Sequence, residues 1–593
     1  MSLKDSINIR KALKDLSNEI EHLTGIQFER LNARETYSLN LMAAVVGVLA
    51  GYAAIFLKNC IGFFQNLILQ NQIAYHNISF ENHIMGDWIL LLPPIAFIFI
   101  AAFIKLLAPE ARGHGIPEVI AAVETRGGRM RGRLVFVKCI ASALTIAAGG
   151  SSGREGPIVQ MGAAAGSILA RWTKLPTKST KVLLACGAAG GLAASFNTPI
   201  AAVIFSVELI LRELKTRSFV PLVIATVMST VIARTHFGNS LEFFLPAYRL
   251  SAPSELVFYI ALGVLAGIVG IMVNRIFFRV GDAFENLPVH YLWKAFIGGS
   301  IVSLIGYAVP ESLGIGYDSM MQVLRGNVEL SFILILLLVK PITMSVTLAA
   351  GASGGVFAPL LFIGAMMGGA FGLVLSNYFP ELIGHHGAYA LVGMAAMFAA
   401  SGRATFTAIV IIFEMTMEYS IILPLMLACV VADQISNLLN EHSIFSEHLH
   451  RQNIPFAQEL GVNSIALLNV GHFMTKEVVA FTLLQKLPTI EKTLKETSHS
   501  IYPVLDKENV VQGFISKESF FKNYSKFDDS FTAKTLMQDL NTWIYEDDGL
   551  LPTLKLLRRT KLSRIIVVER NTHKLKGILT GKDLLQLAAK IDT

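Results

Sequence analysis

Apolar residues fall along this chain in long uncharged runs. Tyr37 to Leu57 carries no charge, and neither does Trp88 to Ile104. Each is long enough to enter or cross a bilayer as a helix. Val182 to Val207 is uncharged too, but glycines and Pro199 interrupt it. Pro341 to Pro380 has no Asp, Glu, Lys or Arg and is too long for one ordinary span. Gly351, Gly354, Gly355 and Pro359 near its middle predict two shorter helices broken inside the membrane. Exposed backbone at that depth is tolerated only where it is buried in protein or lines an aqueous cavity. From about His442 to Thr593 the pattern is that of a soluble protein. The first 36 residues are charged, and Leu13, Leu16, Ile20 and Leu23 recur at helical spacing. They predict an amphipathic helix on the inner face of the membrane part.

The apolar part repeats itself. Val137-Lys138 is followed by Thr145, Gly149, Ser151, Gly153, Pro157, Gly162 and Gly166. Val339-Lys340 is followed at the same interval by Thr347, Gly351, Ser353, Gly355, Pro359, Gly364 and Gly368. Upstream, Pro109-Glu110 with Gly113 and Gly115 matches Pro310-Glu311 with Gly314 and Gly316. Downstream, Gly187, Ser195 and Glu208 match Gly393, Ser401 and Glu414. Paired, glycine-interrupted apolar segments in two halves point to a transport site between repeats.

Composition agrees. Hydrophobic residues make up 53% of the 593 and charged residues 16%, against about a quarter charged in soluble domains. Lys and Arg flanking cytoplasmic ends of spans account for the net charge of +7 without nucleic acid as a partner. Cys60, Cys139, Cys186 and Cys429 sit in apolar stretches without CxxC spacing and read as packing residues, with no metal site. The N-terminus lacks the pattern of a signal peptide.

Three stretches carry the chemistry: Gly113-His114-Gly115-Ile116-Pro117, Gly153-Arg154-Glu155-Gly156-Pro157 and Gly355-Val356-Phe357-Ala358-Pro359. Glycine permits unusual backbone angles and proline suits a first helical turn. A helix starting there aims unpaired N–H groups and a positive dipole end at whatever precedes it. That binds anions without burying a full positive charge, and weakly enough for release. Glu155 is an acid deep in an apolar run, which marks a functional group. Ionised, its carboxylate mimics the anion and plugs the site; protonation or displacement frees it. A structural pair with Arg154 is the plainer alternative.

Together these motifs resemble the CLC family of chloride channels and chloride/proton exchangers, over about Tyr37 to Arg451. The resemblance implies a homodimer with one pore per subunit and two inverted halves of broken helices. It makes Glu155 the gate, and puts the chloride ligands on His114, Gly115, Ile116, Gly153, Arg154, Gly156, Gly355, Val356, Phe357, Ala358 and Phe445. This chain departs from the family pattern at three of its positions. His114 replaces a serine, Phe445 replaces a tyrosine, and Leu209 occupies the place of an inner proton-relay glutamate, beside Glu208. Glu208 has a repeat counterpart in Glu414, which suggests a structural role. Leu209 cannot carry a proton, so a passive chloride channel is expected, with chloride/proton exchange as the alternative.

A second repeat lies near the C-terminus. Ile501–Asp506 then Val511–Ser516 is matched by Ser563–Val568 then Leu575–Thr580, each pair followed by a helix start. Alternating strands and helices suggest small α/β modules. They resemble a CBS pair. That resemblance implies an adenine nucleotide held by Thr580 and Asp583, with Tyr502 and Pro503 beside it. The first module's Ser516-Lys517-Glu518-Ser519 lacks the aspartate. A capped helix without a ligand is the alternative.

The expected architecture is therefore an all-α polytopic membrane domain plus a small cytoplasmic α/β CBS-pair domain. Its parts are an N-terminal helix (1–36), a membrane domain (37–451, halves 37–235 and 255–440), a linker (452–469) and the pair (470–593). The expected setting is a bacterial inner membrane with both termini cytoplasmic, and chloride or other small anions as cargo, with no required cofactor. A divalent-cation transporter would need clustered carboxylates in the spans. An enzyme would need a recognisable nucleophile, P-loop or metal motif. A non-conducting sensor would move no anions.

Overall fold

A computed structural model describes residues 26–69, 86–212, 216–239, 253–326 and 328–452 of the apolar part. Beyond it, residues 454, 469–472, 474–497, 499–528, 530–539, 543–548, 553, 556, 564–570 and 572–580 are described. The chain forms two compact units, Met1–Leu460 and Gly461–Thr593.

The first unit is helical. In chain order its helices are α1 (Ile26–Leu69), α2 (Leu92–Leu107), α3 (Ile116–Thr125), α4 (Leu134–Ala147), α5 (Glu155–Trp172), α6 (Thr177–Phe196) and α7 (Pro199–Phe205). Then come α8 (Thr216–Phe237), α9 (Leu256–Asn286), α10 (Tyr291–Ala308), α11 (Tyr317–Arg325) and α12 (Leu330–Ala349). The last are α13 (Phe357–Tyr378), α14 (His386–Gly402), α15 (Thr405–Thr416), α16 (Ile422–Leu439) and α17 (Ile444–Arg451). Among the described residues eight segments are long and apolar enough to cross a membrane. Leu41, Phe99, Leu304 and Leu338 are exposed, as lipid-facing positions would be.

The apolar runs break where the backbone, rather than composition, demands it. Pro341–Pro380 divides as expected into the end of α12 and all of α13, with residues 350–356 between them. Val182–Val207 breaks at Asn197, which is left-handed, and at Pro199. Its glycines stay helical inside α6. The helix holding Tyr37–Leu57 begins at Ile26, so it runs through the expected border at residue 36. Leu13, Leu16, Ile20 and Leu23 lie outside the described residues.

The sequence repeat reappears as reciprocal contacts. Gly153 N–H donates to Gly355 O at 2.8 Å, and Gly355 N–H donates to Gly153 O at 2.7 Å. The Thr347 hydroxyl accepts from Ser151 N–H at 3.1 Å, and the Thr145 hydroxyl accepts from Ser353 N–H at 3.3 Å. Glu208 accepts from Phe406 and Thr407 N–H and from the Thr407 hydroxyl at 3.1, 2.8 and 2.6 Å, at the start of α15. Glu414 accepts from Ile200 and Ala201 N–H at 3.0 and 2.7 Å, at the start of α7. Residue i meets j′ wherever j meets i′, which is what two-fold related halves require. The paired glutamates satisfy helix-start donors that would otherwise be orphaned.

Two buried lysines explain the repeated Val-Lys. Lys138 Nζ donates to Ala111 O and Gly113 O at 2.9 and 2.7 Å. Lys340 Nζ donates to Ser312 O and Gly314 O, both at 2.9 Å. Each ammonium holds the glycine turn ahead of α3 or α11. The repeated glycines further on serve close packing. A Cβ on Gly162 would overlap the Gly187 carbonyl of α6, and one on Gly364 would overlap the Gly393 carbonyl of α14.

The second unit has two like modules. In the first, β1 (Phe481–Thr482) pairs parallel with β2 (Ile501–Leu505), which pairs antiparallel with β3 (Val511–Ser516). In the second, β4 (Trp543–Tyr545), β5 (Arg564–Val568) and β6 (Leu575–Thr580) repeat this order. Each module's entry segment bonds the other's last strand. Thr475 exchanges both backbone bonds with Ile578, and Gln538 exchanges both with Phe514. Gly513 and Gly577 allow that approach, since a Cβ on either would come within 2.7 Å of the Gln538 or Thr475 carbonyl oxygen.

A buried carbonyl left without a donor costs about 1–3 kcal/mol. Lys340→Met should therefore lower the thermal unfolding midpoint of the detergent-solubilised protein well below that of an exposed control such as Lys178→Met. Gly577→Val should disrupt the second unit, read as new proteolytic cleavage within residues 470–593 while the membrane unit stays monodisperse.

Candidate anion site

The three glycine-proline stretches meet at the crossing of the two halves. Gly113 and Gly115 take φ of 79° and 86°, left-handed values that only glycine adopts freely. They turn the chain into α3, whose cap is Gly115. A Cβ on Gly156 would overlap the His114 carbonyl and lie 3.1 Å from Gly355 Cα. A Cβ on Gly153 would overlap the Glu155 carboxylate and lie 3.2 Å from Ala358 N. So the tips bearing His114, Glu155 and Val356 touch backbone to backbone, and Gly153 leaves the room in which the carboxylate sits.

Three helices start here. α5 begins at Glu155, α13 at Phe357 after its cap Val356, and α3 at Ile116. Gly115, Ile116, Gly153, Arg154, Gly156, Gly355, Val356, Phe357 and Ala358 are all buried. Their first-turn N–H groups and positive dipole ends gather here, with the Arg154 guanidinium beside them.

Glu155 is wholly buried. Its Oε1 accepts from the Tyr317 hydroxyl at 3.0 Å and lies 3.9 Å from Arg154 Nε. The Arg154 guanidinium stands 5.4 Å from the centre of the Tyr317 ring. Tyr317 is the residue that sequence reasoning missed. It occupies in the second half the place of Ile116 in the first, and an aromatic hydroxyl at that matched position was the available signal.

On the other side of the His114 turn the walls are aromatic. Phe445 is buried at the start of α17, where Ser443 and Ser446 form a capping box. Its ring lies 5.9 Å from that of His114 and 6.4 Å from that of Phe398. Phe357 continues the wall, 4.4 Å from Phe398. Leu209 is buried on a π-helical turn over Ser206–Leu211, while the neighbouring Glu208 is spent on α15 as described above.

In the second unit, Ser516 caps the helix α19 (Lys517–Lys522; α18 spans Leu487–Glu496) by accepting from Ser519 N–H at 3.4 Å. Tyr502 lies in the core of the first module. It is wholly buried, its ring is stacked at 5.4 Å on Phe481, and its hydroxyl bonds Thr497 and the His499 carbonyl at 2.6 and 2.9 Å. Core packing and internal hydrogen bonds thus occupy that side chain. Pro503 is buried as well, Thr580 ends β6 half-buried, and Asp583 lies outside the described residues.

Comparison with known proteins agrees with this architecture. The family model described as voltage gated chloride channel matches residues 96–437, and that of the CBS domain matches residues 470–526 and 533–590. The chain is 32% identical over 424 residues to the H(+)/Cl(-) exchange transporter ClcA of Vibrio parahaemolyticus, covering 70% of this chain and 90% of that one. It is 33% identical over 427 residues to ClcA of Yersinia pestis, covering 69% and 87%. The crystal structure of a slow cyanobacterial Cl-/H+ antiporter matches with a TM-score of 0.64 at 28% identity, over 70% of this chain and 97% of that one. A eukaryotic CLC transporter matches in fold with a TM-score of 0.60 at 19% identity, over 92% and 98%. The glycine-crossed halves and the paired α/β modules thus belong to a multi-pass membrane anion transporter, not an enzyme, and this chain is a member of the CLC family of chloride channels and transporters with two C-terminal CBS domains.

Proposed function

We propose that this protein exchanges chloride for protons across a bacterial inner membrane, with Glu155 as the group that both ions share. The carrying observation is the placement of one wholly buried carboxylate where three helix starts converge. Ionised, it competes with the anion for the same N–H groups. Protonated, it yields the site and takes its proton with it. Exchange displaces the passive channel that Leu209 suggested. The relatives at 32–33% identity carry the name of H(+)/Cl(-) exchange transporters, and they support the alternative over the channel. Chloride lies against the N–H groups of Val356 and Phe357, with the His114 ring beneath. The functional unit is a homodimer with one pore per subunit and both termini cytoplasmic. The CBS pair regulates it and takes an adenine nucleotide at Thr580 and Asp583.

Reconstituted protein should drive protons uphill when given only a chloride gradient, read with pH and chloride electrodes together. Chloride flux that leaves pH unchanged would instead mark a channel. Glu155→Gln should abolish the proton component while chloride continues to pass.

Tyr317→Phe tests how the carboxylate is held. A hydrogen bond to a charged group contributes about 1.5–3 kcal/mol, and 1.4 kcal/mol is about tenfold in an equilibrium. Chloride should then displace Glu155 at a concentration about tenfold lower or less, read as the half-saturating concentration of flux. An unchanged value would deny Tyr317 this role.

Titration calorimetry of the full-length protein with ATP, ADP and AMP should show binding of at least one that Asp583→Ala removes. Absence of heat with all three would leave the pair structural.

A further inference from the structure

An exchanged proton must reach Glu155 from the side opposite its own entrance, and Leu209 offers it no titratable atom there. Two imidazoles lie together beside the anion site. His114 is 3% exposed, and neither of its ring nitrogens has a hydrogen-bond partner among the described residues. A histidine kept only for structure would have its buried polar atoms paired. Its ring lies 5.4 Å from that of His448, edge to face. Its other aromatic neighbours among the described residues are the rings of Phe277 and Phe445, both at 5.9 Å. His448 is half-buried on α17, one turn beyond Phe445, and its Nε2 is 3.0 Å from the Gln452 side-chain nitrogen. His448 is thus the more accessible ring of the two, and His114 the enclosed one.

We propose that His114 and His448 form a proton relay from the half-buried end of α17 to the anion site, replacing the carboxylate absent at residue 209. The proposal rests on the exchange reading above. A proton from water adds to His448. A water between the rings passes one on to His114, and a water in the anion site carries it to the Glu155 carboxylate. Only N–H and O–H bonds form and break, one proton moves in net, and both rings return to neutral. Imidazole suits the task because it accepts on one nitrogen while donating from the other. Charges of both signs act on the pair. Lys138 faces His114, while Glu118, Glu285, Arg112 and Arg451 face His448. The relay thus has acids beside its entrance, and a lysine already committed to carbonyls beside its inner ring.

The test reads proton and chloride flux together in liposomes holding the full-length protein. His448→Phe keeps a ring of similar size but no proton site. Loss of a positioned proton carrier costs about a hundredfold or more in transfer rate, so the ratio of protons to chloride should collapse while chloride still moves. His114→Ser, which retains an anion donor, should behave alike. Adding Leu209→Glu to His448→Phe should restore proton flux. An unchanged proton-to-chloride ratio in His448→Phe would overturn the relay. If His448→Phe loses chloride flux as well, the smaller change His448→Asn is measured in its place: a collapsed ratio supports the relay and an unchanged one overturns it. A parent protein that moves chloride without protons would remove the exchange reading and the relay together. A parent that exchanges, with variants that exchange equally, would remove the relay alone.

Discussion

Two glycines, Gly153 and Gly355, exchange a pair of backbone hydrogen bonds where the halves of the membrane unit cross. The rest of the site depends on that contact. Backbone that leaves a helix within a bilayer must find partners in protein, and here each half's unwound segment finds them in the other's. Because both positions are glycine, the segments approach closely enough for α5 and α13 to start side by side. Their orphaned N–H groups then face one pocket, and an anion is attracted without the expense of a buried, unpaired cation.

The lysines, threonines and glutamates that accompany the crossing work to the same end. Lys138 and Lys340 direct their ammonium groups to turn carbonyls rather than to the pocket. Glu208 and Glu414 are committed to helix starts. Charges this deep need partners, and once they have them Glu155 remains the acid at the converging tips. Its Oε1 accepts from the neutral Tyr317 hydroxyl at 3.0 Å, and Arg154 Nε stands 3.9 Å away. A plug that both an anion and a proton can dislodge has to be held in this intermediate way.

The C-terminal unit applies the same exchange of partners to strands. Thr475 and Gln538 each complete the other module's sheet, so neither module has its full set of strand bonds alone. That reciprocity couples the two modules, and a ligand held by one of them would be felt in the other.

The membrane class, the duplication, the three glycine-proline stretches and Glu155 were all legible in the sequence. Long uncharged runs have few alternatives to a bilayer, and a paired Val-Lys or Pro-Glu survives in both copies because each performs a local task that its spacing preserves. The end of α6 was less legible, because left-handed Asn197 rather than the interior glycines sets it. Tertiary structure alone decided which chemistry meets at the site. Tyr317 reaches Glu155 from 162 positions away, and His448 comes beside His114 from the far end of the membrane unit. The core of its own module encloses the Tyr502 side chain. Periodicity and spacing report how a segment treats its solvent, whereas contacts between distant segments follow from how the two halves pack, and no local pattern encodes that.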